Sequence, residues 1–338
     1  MNRRVRTILQ YIFFFGLGFL FVWLSVKDLG RTERADIRFA LRHARYLLFV
    51  PVFFILLLSH YVRAVRWKLL IDSLGYKTGK ANVFFAVMIG YLVNQAVIRL
   101  GEVLKCTVLA RYEKVPADKL VGTIILERLV DAITLVTIFA ITVILQPGLY
   151  SEFVDRVINN PGEEESKKIS GNLIMFVMIG LVVVVVALWM IIKKKNLFDL
   201  FNLVKKIASR VWEGVSAVRH LKRGKLFVFY TILLWGLYLI AGYIGFFALQ
   251  ETSGYGLKEA FTVLSAGSIG MTITPGGIGG YAFLLEKTMM IYGLSEGVAS
   301  AFGWLLWLSN TAVILVGGLV SFALLPWYNK SKLQRSAL

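Results

Sequence analysis

Residues 81–110 read ANVFFAVMIGYLVNQAVIRLGEVLKCTVLA, apolar at both ends and interrupted at Arg99-Leu100-Gly101-Glu102. Crossing roughly 30 Å of hydrocarbon takes about 20 apolar residues at 1.5 Å each, and each half of this stretch is shorter. Irregular backbone or charge at membrane depth persists only inside protein or against a wet cavity. The stretch is therefore predicted to be a hairpin of two short helices that enters and leaves through one membrane face. Leu257–Tyr292 repeats the form, with its break at Pro275-Gly276-Gly277-Ile278-Gly279-Gly280. There proline removes a donor and glycine admits left-handed backbone.

Working outward, the uninterrupted apolar blocks are Ile8–Val26, Tyr46–Leu70, Leu120–Leu145, Leu173–Ile192, Leu226–Leu249 and Val298–Leu325. The chain is 57% hydrophobic and only 17% charged, against roughly 45–50% and about 25% in soluble domains. Its mean hydropathy is +0.70. The reading is an all-α polytopic membrane bundle of about six spanning helices plus two re-entrant helical hairpins arranged as an inverted repeat. It forms one membrane domain over 1–338, with a first half at 1–145, an external loop at 146–171, a second half at 172–325 and a tail at 326–338. Ile8–Val26 is long for a signal peptide's apolar core and lacks a small-residue cleavage site, so it reads as a retained helix. Residues 196–218 place Leu197, Leu200, Phe201, Val204, Ile207, Val211, Val215 and Val218 at helical spacing among basic residues. That pattern is an amphipathic helix in the headgroup plane.

Lys193–Lys225 carries ten Lys or Arg and is assigned to the cytoplasm, while the acidic loop 146–171 is assigned outside. Arg3, Arg4 and Arg6 place the N-terminus in the cytoplasm, as Lys330, Lys332 and Arg335 do the C-terminus. Lys27–Arg45 must then be an external loop, although it holds six basic and three acidic residues. The net charge of +18 clusters beside the apolar blocks, where anionic lipid is the nearer partner and nucleic acid is not implied. One cysteine, Cys106, excludes an intrachain disulfide. The histidines show no metal spacing, and no Gly-Lys-Ser/Thr follows the glycine-rich break, so neither a metal nor another cofactor is expected.

The candidate functional residues are the polar ones at depth. Arg99, Glu102 and Lys105 lie in the first break and the start of its return helix, with Asn94 just before. Arg99 and Lys105 suit a phosphate, and helix N-termini at a break add backbone donors; alternatively Arg99 pairs with Glu102 and fastens the turn. Glu127, Arg128 and Asp131 sit about 12–18 Å along the third block. Their spacing allows local pairing of Arg128 with Asp131, a self-contained clasp, or contact with the broken hairpin or a headgroup. The second break offers Pro275, Gly276, Gly277 and Gly279, with Tyr281 and Glu286 following. Arg63, Arg66 and Lys68 read chiefly as topology anchors reaching the headgroups.

Three motifs, Arg99-x-Gly101-Glu102-x-x-Lys105, Glu127-Arg128-x-x-Asp131 and Pro275-Gly276-Gly277-x-Gly279, resemble the lysylphosphatidylglycerol synthase transmembrane region, or flippase-like, family over roughly Tyr46 to Leu325. Family members often have a proline where this chain has Val97. They also carry an acidic residue soon after the Pro-Gly-Gly loop, where this chain has Tyr281 and Ala282. The resemblance implies a lipid-translocating domain of the bacterial or archaeal cytoplasmic membrane. No soluble aminoacyl-transfer domain follows Leu325, so a stand-alone, non-enzymatic member is expected. Its substrate would be a phosphate-bearing lipid. The alternatives are a scaffold for a separately encoded lipid synthase or glycosyltransferase, or a membrane-embedded lipid-modifying transferase.

Overall fold

The computed structural model describes residues 16–25, 27, 29–97, 99–146, 221 and 223–335, with side chains through Lys330. The expected span Leu173–Ile192 and amphipathic helix 196–218 lie outside these residues, as do the first half of Ile8–Val26 and all but Gln146 of loop 146–171. All contacts below fall within one compact unit, residues 1–142 with 220–338.

Every regular element among the described residues is helical. In chain order they are α1 (Gly16–Ser25), α2 (Arg31–His43), α3 (Phe49–Ser73, preceded by a 3-10 turn at Tyr46–Leu48), α4 (Lys80–Ala96) and α5 (Leu100–Glu113). There follow α6 (Ala117–Leu145), α7 (Gly224–Phe246), α8 (Leu257–Ile273), α9 (Gly280–Ile291) and α10 (Glu296–Arg335). Four are long and apolar enough to cross a bilayer: Tyr46–Ser73, Ala117–Leu145, Gly224–Phe246 and Glu296–Lys330. They coincide with four of the six uninterrupted blocks.

The expected loop at Lys27–Arg45 is largely helix. Within α2, Ala40 is buried and Ile37 and Leu41 pack beside it against the core of α8, α9 and α10, while Arg31, Arg34, Arg38 and Arg42 stay exposed. The 3.6-residue period is present there; the weight of charge hid it.

α4 and α5 form a close antiparallel pair. α4 stops at Ala96, Val97 is extended, and Arg99 adopts left-handed backbone with φ 67°. A non-glycine residue there carries a cost of roughly 1–2 kcal/mol. The helix restarts at Leu100, so the break is at 97–99 rather than 99–102, and Glu102 and Lys105 are helical. Gly90 and Gly101 let the two backbones touch: a Cβ at Gly90 would lie 2.8 Å from the Gly101 carbonyl oxygen, and one at Gly101 would collide with that of Gly90. Asn94 Oδ1 reaches across to accept the Gly101 N–H at 2.8 Å, satisfying a helix-start donor that Arg99 leaves uncapped.

The second break follows the sequence closely. α8 ends at Ile273, Pro275–Gly277 makes a 3-10 turn, and Gly276, Gly277 and Gly279 all have positive φ. The two breaks meet, because Gly276 lies against Gln95 so tightly that a Cβ there would overlap the Gln95 side chain. Trp307 of α10 donates to the Gly276 carbonyl at 3.0 Å. The α4–α5 pair opens at the end where Asn82 bonds Glu113 at 2.5 Å and exchanges hydrogen bonds with Asn329 at 2.9 Å. The α8–α9 pair opens where Tyr292 donates to Thr262 at 2.8 Å and Tyr255 to the Tyr292 carbonyl at 3.1 Å. α2 packs at that second end, with Asp36 accepting from Ser295 at 3.1 Å.

α6 differs from the other long helices. Only 17% of its most apolar stretch is buried, against 28–39% for the other three spans, and Val121, Ile125, Val136 and Phe139 are exposed. Polar side chains hold it.

Candidate functional site

On α3, Arg63, Arg66, Trp67 and Leu70 recur at three- and four-residue spacing and face one way. On α6, Leu120, Thr123, Glu127 and Asp131 make the matching stripe. All eight are buried. Between them Arg63 bonds Asp131 at 2.5 Å and Glu127 at 3.5 Å. Arg66 bonds Asp131 at 2.6 Å and Glu127 at 3.5 Å. Lys105 enters from α5, 3.0 Å from Glu127. Around this core, Arg63 donates to Tyr238 at 3.4 Å and Arg66 to Thr231 at 3.3 Å. Lys105 stands 4.5 Å over the Trp67 ring.

Three buried cations therefore face two buried carboxylates, an excess of one positive charge. The neighbouring Arg128–Glu102 pair, at 2.7 Å, is neutral and more exposed. Nε of Arg63, Nε of Arg66 and Nδ1 of His60 are buried without a hydrogen-bond partner. A buried charge without compensation costs several kcal/mol, so the arrangement suits an anion able to accept several hydrogen bonds. Phosphate oxygens have that geometry, and arginine forks match it.

The local readings change accordingly. Arg128 pairs with Glu102 of α5 rather than with Asp131, whose two carboxylate oxygens are already held by Arg63 and Arg66. Glu102 is thus not the partner of Arg99, which lies exposed at the break. Arg63 and Arg66 do not reach for headgroups. Arg63 stands about 15 Å from the Ser73 end, too deep for that, and tertiary carboxylates claim both side chains. Two arginines that deep with no acid within four residues of either on their own helix were the signal in the sequence. Lys68, nearer the end, pairs with Asp72 at 2.6 Å.

The remaining candidates gather elsewhere. Pro275 and Gly277 are buried in the second break. Tyr281 is buried, 3.5 Å from the Asn310 amide, and its ring packs on Gly267. Glu286 is fully buried; Ser25 of α1 donates to it, and Lys287 lies 2.9 Å away while also holding Glu296 at 2.8 Å. Ser25 was not legible as a partner, since only packing brings it to Glu286, whereas Lys287 is the next residue in the chain. Among the described residues, no group of His, Cys, Asp and Glu is disposed to hold a metal.

Trp67 Nε1 donates to Thr123 at 2.9 Å, and Thr123 in turn donates to the Leu120 carbonyl at 2.7 Å. Trp67→Phe is therefore expected to cost about 1–3 kcal/mol, from the lost packing of a fully buried ring rather than from an orphaned donor. Thermal unfolding in mild detergent checks this.

Residues 8–329 match the family described as "Lysylphosphatidylglycerol synthase TM region". A UPF0104 membrane protein of Methanocaldococcus jannaschii is 27% identical over 85 residues, 24% of this chain and 25% of its own length. The match thus spans about a quarter of that relative. No solved structure matches significantly.

Proposed function

The chain belongs to the lysylphosphatidylglycerol synthase TM region family, and from that premise we propose that it moves a phosphate-bearing lipid across the membrane it spans. The observation that carries the proposal is the excess buried positive charge of Arg63, Arg66 and Lys105 over Glu127 and Asp131, held at membrane depth. Charge there is costly and marks substrate or ion pathways. A phosphodiester or polyprenyl-phosphate headgroup neutralises the excess while its tails remain in lipid.

We read α4–α5 and α8–α9 as two re-entrant hairpins of an inverted repeat, entering from opposite faces. Their mouths at opposite ends and the meeting of their breaks at Gln95 and Gly276 support this. In such architectures interrupted helices mark the substrate site. Arg99, exposed at the first break, serves as the way-point for phosphate, and Asn94 keeps that tip closed. Glu286 and Tyr281 belong to the second hairpin, where they fasten α9 to α1 and α10. The membrane is assigned as the prokaryotic cytoplasmic one, with both termini inside.

The test is reconstitution into liposomes, with headgroup-labelled phosphatidylglycerol and phosphatidylcholine followed by quenching from outside. Wild type is expected to move the anionic lipid above empty liposomes. Arg66→Met, which leaves two cations facing two carboxylates, should fold and lose at least about tenfold in rate. Wild-type protein that moves neither phospholipid nor a polyprenyl-phosphate analogue would overturn transport and favour the scaffold reading.

A further inference from the structure

Between the Ser73 end of α3 and the Ala117 end of α6 lies an open groove of about 270 Å³. Its walls are Leu70, Ser73 and Leu74 on one side and Asp118, Lys119, Gly122, Thr123 and Leu126 on the other. Small-molecule sites occupy roughly 300–1,000 Å³, so the groove admits a chain segment and not a whole lipid. Three features define what fits. The depth of the groove is hydrocarbon from buried Leu70 and half-buried Leu126, and Leu74 extends it as exposed apolar surface toward the rim. Its rim carries Lys119, which has no carboxylate partner among the described residues; the other charged wall residue, Asp118, sits in the first turn of α6, where the helix dipole favours a negative charge. Its inner wall includes Thr123, which accepts from Trp67, and Lys105 sits over the Trp67 ring.

We propose that this groove is the loading station for an anionic phospholipid, with the phosphate at Lys119 and the carbonyl-proximal segment of one acyl chain between Leu70, Leu74 and Leu126. The inference rests on the transport reading and deepens it. It names an anionic glycerophospholipid as the class taken up and the gap between α3 and α6 as the lateral entrance. Apolar depth with a cation at its mouth is complementary to an anionic amphiphile at that point of its length. A zwitterionic lipid gains less there, because its own ammonium cancels part of the attraction to Lys119. Gly122 makes the idea testable, since a Cβ built on it meets nothing within 4 Å. A larger side chain at 122 therefore starts from open space in the groove wall.

The experiment is photo-cross-linking in nanodiscs, using phosphatidylglycerol with a diazirine near one acyl carbonyl and mapping adducts by peptide mass spectrometry. Adducts are expected on residues 70–74 and 118–126. Unlabelled phosphatidylglycerol should compete, and phosphatidylcholine should not. Gly122→Phe should cut this labelling at least about fivefold with unfolding temperature unchanged, and Gly122→Ala should cut it less. Lys119→Gln should retain labelling and lose the preference for the anionic lipid. Adducts spread equally over Val121, Ile125 and Val136, labelling that survives Gly122→Phe, or competition by both lipids would overturn the proposal. The readout does not need transport. Groove labelling without liposome transport would sink the transport reading alone, whereas transport undiminished in Gly122→Phe would sink only the loading station.

Discussion

Asp131→Asn is expected to be the most damaging single substitution in the ion cluster, at about 3–5 kcal/mol. The asparagine keeps the shape and removes the charge. Arg63 and Arg66 then lose their shortest partner, at 2.5 and 2.6 Å, and Glu127 alone faces three buried cations. Arg66→Met should cost clearly less, because it leaves two cations against two carboxylates and no orphaned partner: Thr231 retains its bond to the Phe227 carbonyl. Stability and transport thus separate. The carboxylate variant should fail mainly in folding, and the arginine variant mainly in handling anionic lipid. A fully apolar replacement of Arg63, Arg66, Lys105, Glu127 and Asp131 should recover most of the stability lost in Asp131→Asn, since well-packed hydrophobic residues commonly match a buried ionic group. It should carry no anionic lipid. Chemical denaturation in detergent, beside lipidomics of the purified variants, reads both axes. Equal stabilities for Asp131→Asn and Arg66→Met would contradict the charge count.

Gly101→Ala is the second large effect, expected at about 3 kcal/mol. Overpacking costs roughly 1–3 kcal/mol where side chains can adjust, but here the obstacle is the Gly90 carbonyl, which is backbone, with Asn94 Oδ1 beside it. The pair must spread, and the Asn94 bond that starts α5 lengthens with it. Lys105 lies one turn further along α5, so it also retreats from Glu127. Gly236→Ala is the control: its Cβ meets nothing within 4 Å, and a helix-interior alanine should add up to about 1 kcal/mol. Thermal unfolding of the two variants side by side separates backbone collision from helix propensity.

The sequence carried some of this and withheld the rest for physical reasons. The Pro275–Gly280 break was legible residue by residue, because proline and glycine act on their own backbone. The first break was misplaced by about two residues, because charge was taken as its marker. Charge at Glu102 and Lys105 turned out to be satisfied across the bundle from within an intact helix, while the irregular backbone fell at Val97 and Arg99. Glu127, Arg128 and Asp131 were singled out, with a local clasp and contact with the broken hairpin both left open. The contacts to α5 follow the second, while the arginines of α3 were not foreseen as partners. Arg63 and Arg66 lie more than sixty positions away in the chain, and nothing short of packing joins them. α2 was missed because its arginines outvoted the spacing of Ile37, Ala40 and Leu41.

Heat should not act evenly on this bundle. α6 is fastened chiefly by Arg63, Arg66, Lys105 and Glu102, with little of its surface buried. The penalty for withdrawing ions from water shrinks as temperature rises, whereas the return on apolar contact levels off. The attachment of α6 therefore weakens less steeply on warming than the aromatic packing of Phe246 on Phe302 that ties α7 to α10. On warming, the α7–α10 seam should loosen first, and the ionic attachment of α6 should be among the last parts of the bundle to melt.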